Sequence, residues 1–134
     1  MTANIHNITF DCANPYSLSQ FWGRVTGYQG DPQNPNEPDD PEAYLASPDG
    51  HHGLLFIEVP EPKSVKNRVH LDLMPIDHSR DKEVERLLAL GATLLADHRR
   101  PDGTGWAVLT DPEGNEFCVE RSAAERAHEL VDTA

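Results

Sequence analysis

Three breaks in the sequence recur at one spacing: Gly27 and Gly91, Pro48 and Pro112, and Gly50 and Gly114 are each 64 residues apart. The segments between them repeat as well. In the second half Val69, Leu71 and Leu73 alternate with His70, Asp72 and Met74, the period of a half-buried strand. Val84, Leu87 and Leu88 then fall at i, i+3 and i+4, the period of an amphipathic helix, and Gly91 stands where a left-handed cap belongs. In the first half residues 4–12 alternate as a strand and Asn14-Pro15 opens a helix. Leu18, Phe21, Trp22 and Val25 form its apolar stripe, and Gly27 ends it. Ser47-Pro48-Asp49-Gly50 and Asp111-Pro112-Glu113-Gly114 have the chemistry of type I turns. Strands are expected over residues 42–46, 53–59, 92–97, 106–110 and 116–121, and a helical tail from Ala123 to Val131. Residues 29–43, with Pro32, Pro35, Pro38 and Pro41, read as a loop. Strand–helix–strand–strand–turn–strand, written twice, constrains the fold more than any other property of the chain.

The repeat fits a single α+β domain over residues 1–134, with one module at about 3–60, a second at about 66–122 and the tail at 123–134. Eleven basic residues face 23 acidic ones, a net charge of −12 with histidine neutral. Such a charge repels phosphate backbones and anionic lipid, which argues against nucleic-acid and membrane-surface roles. The apolar run Leu54–Ile57 is too short to span a bilayer, and no basic region with an apolar core marks a secretory leader. Cys12 and Cys118 are far apart and outside any CxxC spacing, which fits a reducing, cytoplasmic setting.

The chain resembles the vicinal oxygen chelate superfamily, and within it the small glyoxalase-like and bleomycin-resistance-like bacterial proteins. The matching stretches are Phe10-Asp11-Cys12-Ala13-Asn14-Pro15 with Phe21-Trp22 and Gly27-Tyr28, and Val69-His70-Leu71-Asp72-Leu73. Leu87-Leu88-Ala89-Leu90-Gly91-Ala92 and Asp111-Pro112-Glu113-Gly114-Asn115-Glu116-Phe117-Cys118 complete them. The resemblance implies two tandem βαβββ modules whose sheets curl into a cup, a homodimer, and a small-molecule ligand. It spans activities from glyoxalase to antibiotic sequestration, so fold alone does not fix function.

Each sheet should turn one face to its helix and the other to the cup. Alternation then places Asn7, Thr9 and Asp11 inward on the first strand, and Leu54, Phe56 and Glu58 inward on the strand at 53–59. His70, Asp72 and Met74 face inward after residue 68, as do Glu116, Cys118 and Glu120 on the last strand. Metal-using relatives take one His or Glu ligand from each of four such strands. Carried over, His70 matches its position and Cys118 stands where a carboxylate is usual, with Glu120 one step along. Phe56 or Glu58 is the candidate on the fourth strand. The repeat pairs His6 with His70, whereas alternation puts Asn7 inward, and a bulge would reconcile the two.

The resemblance therefore implies His70, Glu58 and Glu120 as ligands of a divalent ion (nickel, zinc, manganese or iron), with Asn7 or His6 as a fourth. No organic cofactor is indicated. In an enzyme of this type Glu58 and Glu120 would move the proton in isomerase or lyase chemistry on vicinal oxygens. The other reading is a binding protein without chemistry, its cup lined by Asn7, Asp11, Phe56, Asp72, Trp106 and Cys118. That cup is expected to be apolar and acidic, suited to a cationic or aromatic metabolite.

Overall fold

The structure is a computed structural model that describes residues 1–127. It divides into two compact units, Met1–Ser64 and Val65–Ala134. The expected tail helix is present over 123–127, and its continuation to Val131 lies outside the described residues.

In the first unit β1 (Asn7–Cys12) leads to α1 (Pro15–Thr26), then β2 (Glu42–Ala46) and β3 (Gly53–Glu58). The sheet order is β1-β3-β2, with β1 parallel and β2 antiparallel to β3. α1 starts as the sequence predicts: the Asn14 side chain accepts from the Ser17 N–H at 3.1 Å, and Pro15 occupies the first turn, where its missing N–H breaks no bond. Gly27, at φ 77°, ends it by donating to the Gly23 carbonyl. α1 packs on β2 and β3, burying Leu18, Phe21 and Trp22 with Ala43, Leu45, Leu54 and Phe56. Each large apolar side chain so buried contributes about 2 kcal/mol.

The second unit runs β4 (Leu71–Leu73), α2 (Arg80–Leu90), β5 (Thr93–Asp97), β6 (Ala107–Thr110) and β7 (Glu116–Val119), in the sheet order β4-β7-β6-β5. Ser79 caps α2 by accepting from the Lys82 N–H at 3.2 Å, and Gly91 closes it. Val84, Leu87, Ala107, Leu109, Phe117 and Val119 make its core. The tail helix begins with a reciprocal cap: Ser122 Oγ accepts from the Glu125 N–H, and Glu125 Oε1 accepts from the Ser122 N–H. The same Oε1 accepts from the Arg80 N–H at 2.8 Å, so Glu125 ties the tail to the start of α2.

The first unit carries three strands where the second has four. The counterpart of β5 is reduced to one bridge, Gln29 to Ala46, which lies 64 residues before the pair Thr93 to Thr110. Pro32 and Pro35 lack the N–H groups a strand would need just beyond that bridge. The exposed edge of β2 is closed by a side chain instead: Asn36 Oδ1 accepts from the Tyr44 N–H at 3.0 Å and its Nδ2 donates to the Tyr44 carbonyl at 2.9 Å.

Pairing of the outer strands repeats with a displacement of 63, not 64: Ile8 pairs with Leu54 as Leu71 pairs with Phe117, and Thr9 with Leu55 as Asp72 with Cys118. The turn after Gly50 holds one residue more than the turn after Gly114, which shifts β3 by one place. Asn7, not His6, is thus the counterpart of His70. It lies with Thr9 on the face away from α1, and Asn7 Nδ2 donates to Thr9 Oγ1 at 3.1 Å. His6 precedes β1 and is exposed.

The same shift corrects the expectation for β3. Leu54 and Phe56 do not face away from the helix; they are 3% and 0% exposed, and Phe56 stacks on Phe10, which in turn packs against Trp22 of α1. Leu55 and Ile57 occupy the opposite face, and Glu58, in the phase of Phe56, is exposed at the strand end. A Leu-Leu-Phe-Ile run is apolar on both faces, so its alternation carries no phase. Val69, expected against the helix, is 79% exposed because β4 begins only at Leu71.

Candidate functional site

The second unit contains a cleft of about 460 Å³ on the sheet face away from α2, within the size range of small-molecule sites. β4 and β7 build its floor. Their parallel register sets Asp72 beside Cys118, while Leu71 and Leu73 meet Phe117 and Val119 on the packed side. His70 lies two residues before Asp72 on the same face. Glu116 and Glu120 flank Cys118 in the same way, and Val108 of β6 pairs with it.

The shortest contacts lie among His70, Asp72 and Cys118. His70 Nδ1 is 3.2 Å from Asp72 Oδ1 and 3.9 Å from Cys118 Sγ. The two exposed side chains thus meet one buried thiol. Burial, then the neighbouring Asp72 and Glu120 carboxylates, push the Cys118 thiol up to about 11, so it is protonated at neutral pH without a cation to replace the proton.

Trp106 forms one lip. It is 39% exposed, packs against the His98 ring at 5.0 Å between centroids, and has the Arg100 guanidinium carbon 6.0 Å from its ring centre. The loop before it is fixed by Arg80, a buried residue whose Nη1 donates to the carbonyls of Gly103, Thr104 and Gly105 at 3.1, 2.9 and 3.0 Å. Gly105, at φ 90°, passes so close to the His98 carbonyl that a Cβ would collide with it.

The cleft is not the acidic pocket expected from the inward-facing residues. Lys66, Arg100, Arg121 and Arg126 line it with Asp72, Glu116 and Glu120, and each carboxylate already has a partner. Asp72 meets His70, Glu116 accepts from the Asn67 N–H at 2.8 Å, and Glu120 lies 3.4 Å from Arg126. Much of the excess negative charge instead lies in the 31–42 loop of the first unit.

Of the sequence candidates, His70, Asp72, Trp106, Cys118 and Glu120 line this one cleft. Asn7, Asp11, Phe56 and Glu58 belong to the first unit. There Asn7 and Asp11 lie on the face away from α1, and Phe56 is in the core. Arg80 and the four lining cations escaped the sequence reading. Nothing local marks a cation that acts across 20 or more residues, although the paired Gly103 and Gly105 flag a tight loop.

Among the described residues one group of three or more His, Cys, Asp or Glu side chains converges, His70, Asp72 and Cys118, with ligand atoms all within 4.8 Å of one another. Nitrogen, oxygen and sulfur together suit a borderline divalent ion. Glu120 shares the wall but lies outside that group.

The profile described as Glyoxalase-like domain matches residues 7–120. No curated protein matches the chain. Among solved structures, a glyoxalase/bleomycin resistance protein/dioxygenase family enzyme from Burkholderia phytofirmans PsJN is 23% identical, with a TM-score of 0.63 over 87% of this chain and 97% of that one. The fosfomycin resistance protein FosX from Mesorhizobium loti is 15% identical, with a TM-score of 0.66 over 96% and 99%. A mutant FosX from Listeria monocytogenes, complexed with Mn(II) and 1S,2S-dihydroxypropylphosphonic acid, is 14% identical, with a TM-score of 0.67 over 95% and 98%. At these identities the structures speak for the fold, and the profile spans most of the chain. The two α+β modules, their parallel outer strands and the profile match agree: the chain belongs to the glyoxalase-like domain family of the vicinal oxygen chelate superfamily.

Proposed function

We propose that the protein binds a small, planar organic anion in the cleft of its second unit. The observation that carries this is Trp106, a large exposed aromatic with Arg100 beside its ring, on a wall whose carboxylates already have partners. A flat ligand would stack on the indole, and its anionic group would meet Arg100 and Lys66. No membrane-crossing helix occurs among the described residues, and both cysteines are free thiols. A cytoplasmic homodimer is the setting we infer from the family resemblance.

The test uses Trp106 as reporter, since the other tryptophan, Trp22, is buried. Aromatic carboxylates and small phosphonates should quench its fluorescence saturably and raise the melting temperature. Arg100→Gln should weaken the best ligand about tenfold, equivalent to about 1.4 kcal/mol. Ligands that bind equally well to Trp106→Phe and Arg100→Gln would move the site elsewhere.

A second reading, an isomerase or lyase, draws on His70 and Glu120 sharing that wall. A divalent ion bound there would supply Lewis-acid polarisation of vicinal substrate oxygens. In this reading His70 holds the ion, Glu120 takes a proton from the substrate carbon, and Arg126 orients the carboxylate.

A further inference from the structure

We infer that the organic anion of the cleft is a phosphate monoester of a flat ring, and that Arg100, Arg121 and Arg126 select its doubly charged group over a carboxylate. The inference rests on the reading that the cleft takes a planar anion, and it names the chemistry of the anionic group.

The three arginines come from separate segments and meet at one end of the cleft. Arg100 lies in the hairpin between β5 and β6, with its guanidinium carbon 6.0 Å from the centre of the Trp106 ring. Ala107 pairs with Val119, so Trp106 and Glu120 leave neighbouring ends of β6 and β7. Arg121 follows Glu120, and its Nη1 lies 4.0 Å from the place a Cβ on Gly103 would take, in the same hairpin as Arg100. Arg126 arrives from the tail helix: its Nε donates to the Arg121 carbonyl at 3.4 Å, and its Nη2 is 3.4 Å from Glu120 Oε2. Lys66 enters from the other end. Its neighbour Asn67 bonds to Glu116, which precedes Glu120 by about 13 Å of strand.

At the Trp106 end, three guanidinium groups thus share one lining carboxylate, Glu120. The other carboxylate nearby, Asp102, turns to its own loop and accepts from the Thr104 N–H and hydroxyl at 2.9 and 2.6 Å. This concentration of cations runs against a chain charge of −12. The Arg126–Glu120 pair is long and both side chains are partly exposed, so it holds little energy and can be exchanged for a ligand.

A carboxylate offers two oxygens and one charge, which a single guanidinium fork satisfies. A phosphate monoester offers three terminal oxygens and a charge of about −1.5 to −2 at neutral pH, which matches several forks at once. The ester oxygen then joins that group to a ring stacked on Trp106. Binding makes hydrogen bonds and ion pairs, and no covalent bond changes.

The full chain is titrated at about pH 8 with phenyl phosphate, benzoate and benzenesulfonate, read by Trp106 fluorescence and calorimetry; there the phosphate ester is a dianion and the other two are monoanions. Phenyl phosphate should bind about tenfold tighter than either monoanion, with the steeper salt dependence. Arg121→Gln and Arg126→Gln should each weaken phenyl phosphate about tenfold and benzoate about twofold at most, whereas Lys66→Gln should weaken both ligands alike. Arg126 is exposed, so its variant carries the test if Arg121→Gln misfolds by circular dichroism. Benzoate as tight as phenyl phosphate, or an equal loss of the two ligands in Arg126→Gln, would overturn the inference and leave the planar-anion reading standing. Benzenesulfonate as tight as phenyl phosphate would overturn it as well, because oxygen number and not charge would then be selected. Quenching by none of the three would instead remove the planar-anion reading, and this inference with it.

Discussion

His78 has both ring nitrogens engaged by carboxylates, Nδ1 at 2.6 Å from Asp77 and Nε2 at 2.7 Å from Glu83. A ring that must donate from both nitrogens is an imidazolium. The bond to Glu83, then that to Asp77, raises its pKa above 6.5. Burial pushes Glu83 the other way, yet its bonds to Arg86 and His78 hold it below its ordinary value. The signs are therefore opposite. Stability from His78 is fully present below 6.5 and lost as pH rises through its raised value, whereas stability from Glu83 is lost as pH falls through its lowered one. In urea unfolding, the gap between the parent protein and His78→Gln should be wide below 6.5 and close as pH rises through the raised value. A gap independent of pH would mean that the ring stabilises only by packing.

At the scale of elements, Arg80 links the start of α2 to the loop that presents Trp106. One buried guanidinium serves three consecutive carbonyls, and no apolar side chain can replace those donors. Arg80→Met, similar in length, should cost about 1–3 kcal/mol by urea denaturation, because three half-buried carbonyls lose a charged donor. It should also broaden Trp106 emission even where the protein remains folded, as the lip loses its anchor. A loss below about 0.5 kcal/mol with unchanged emission would show that water replaces the guanidinium. The cap made by Glu125 on the backbone of the same residue shows how closely the tail and α2 are joined.

Across the whole molecule, what was legible in the sequence was what is written locally. Helix caps at Asn14, Gly27 and Gly91 are signals within a few residues of the backbone groups they serve, and the structure places all three at helix ends. The cleft face of the second unit was legible too, because polar His70, Asp72, Glu116, Cys118 and Glu120 alternate with apolar neighbours. β3 was not legible, since Leu54–Ile57 is apolar on both faces and the extra turn residue leaves no mark in composition. The Arg80 clamp and the cationic lining depend on distant contacts that no local pattern records.

The shared strand register makes the two units interchangeable blueprints. Asn7, Thr9 and Leu55 occupy the places that His70, Asp72 and Cys118 hold in the second unit, with Thr9 paired to Leu55 as Asp72 is to Cys118. A transplant of three side chains, Asn7→His, Thr9→Asp and Leu55→Cys, should therefore add one divalent ion per chain to whatever the parent protein takes up, read by elemental analysis. The same transplant moved one place along, to Ile8, Phe10 and Phe56, would take Phe56 from the core and Phe10 from its contact with Trp22, and should unfold the first unit instead.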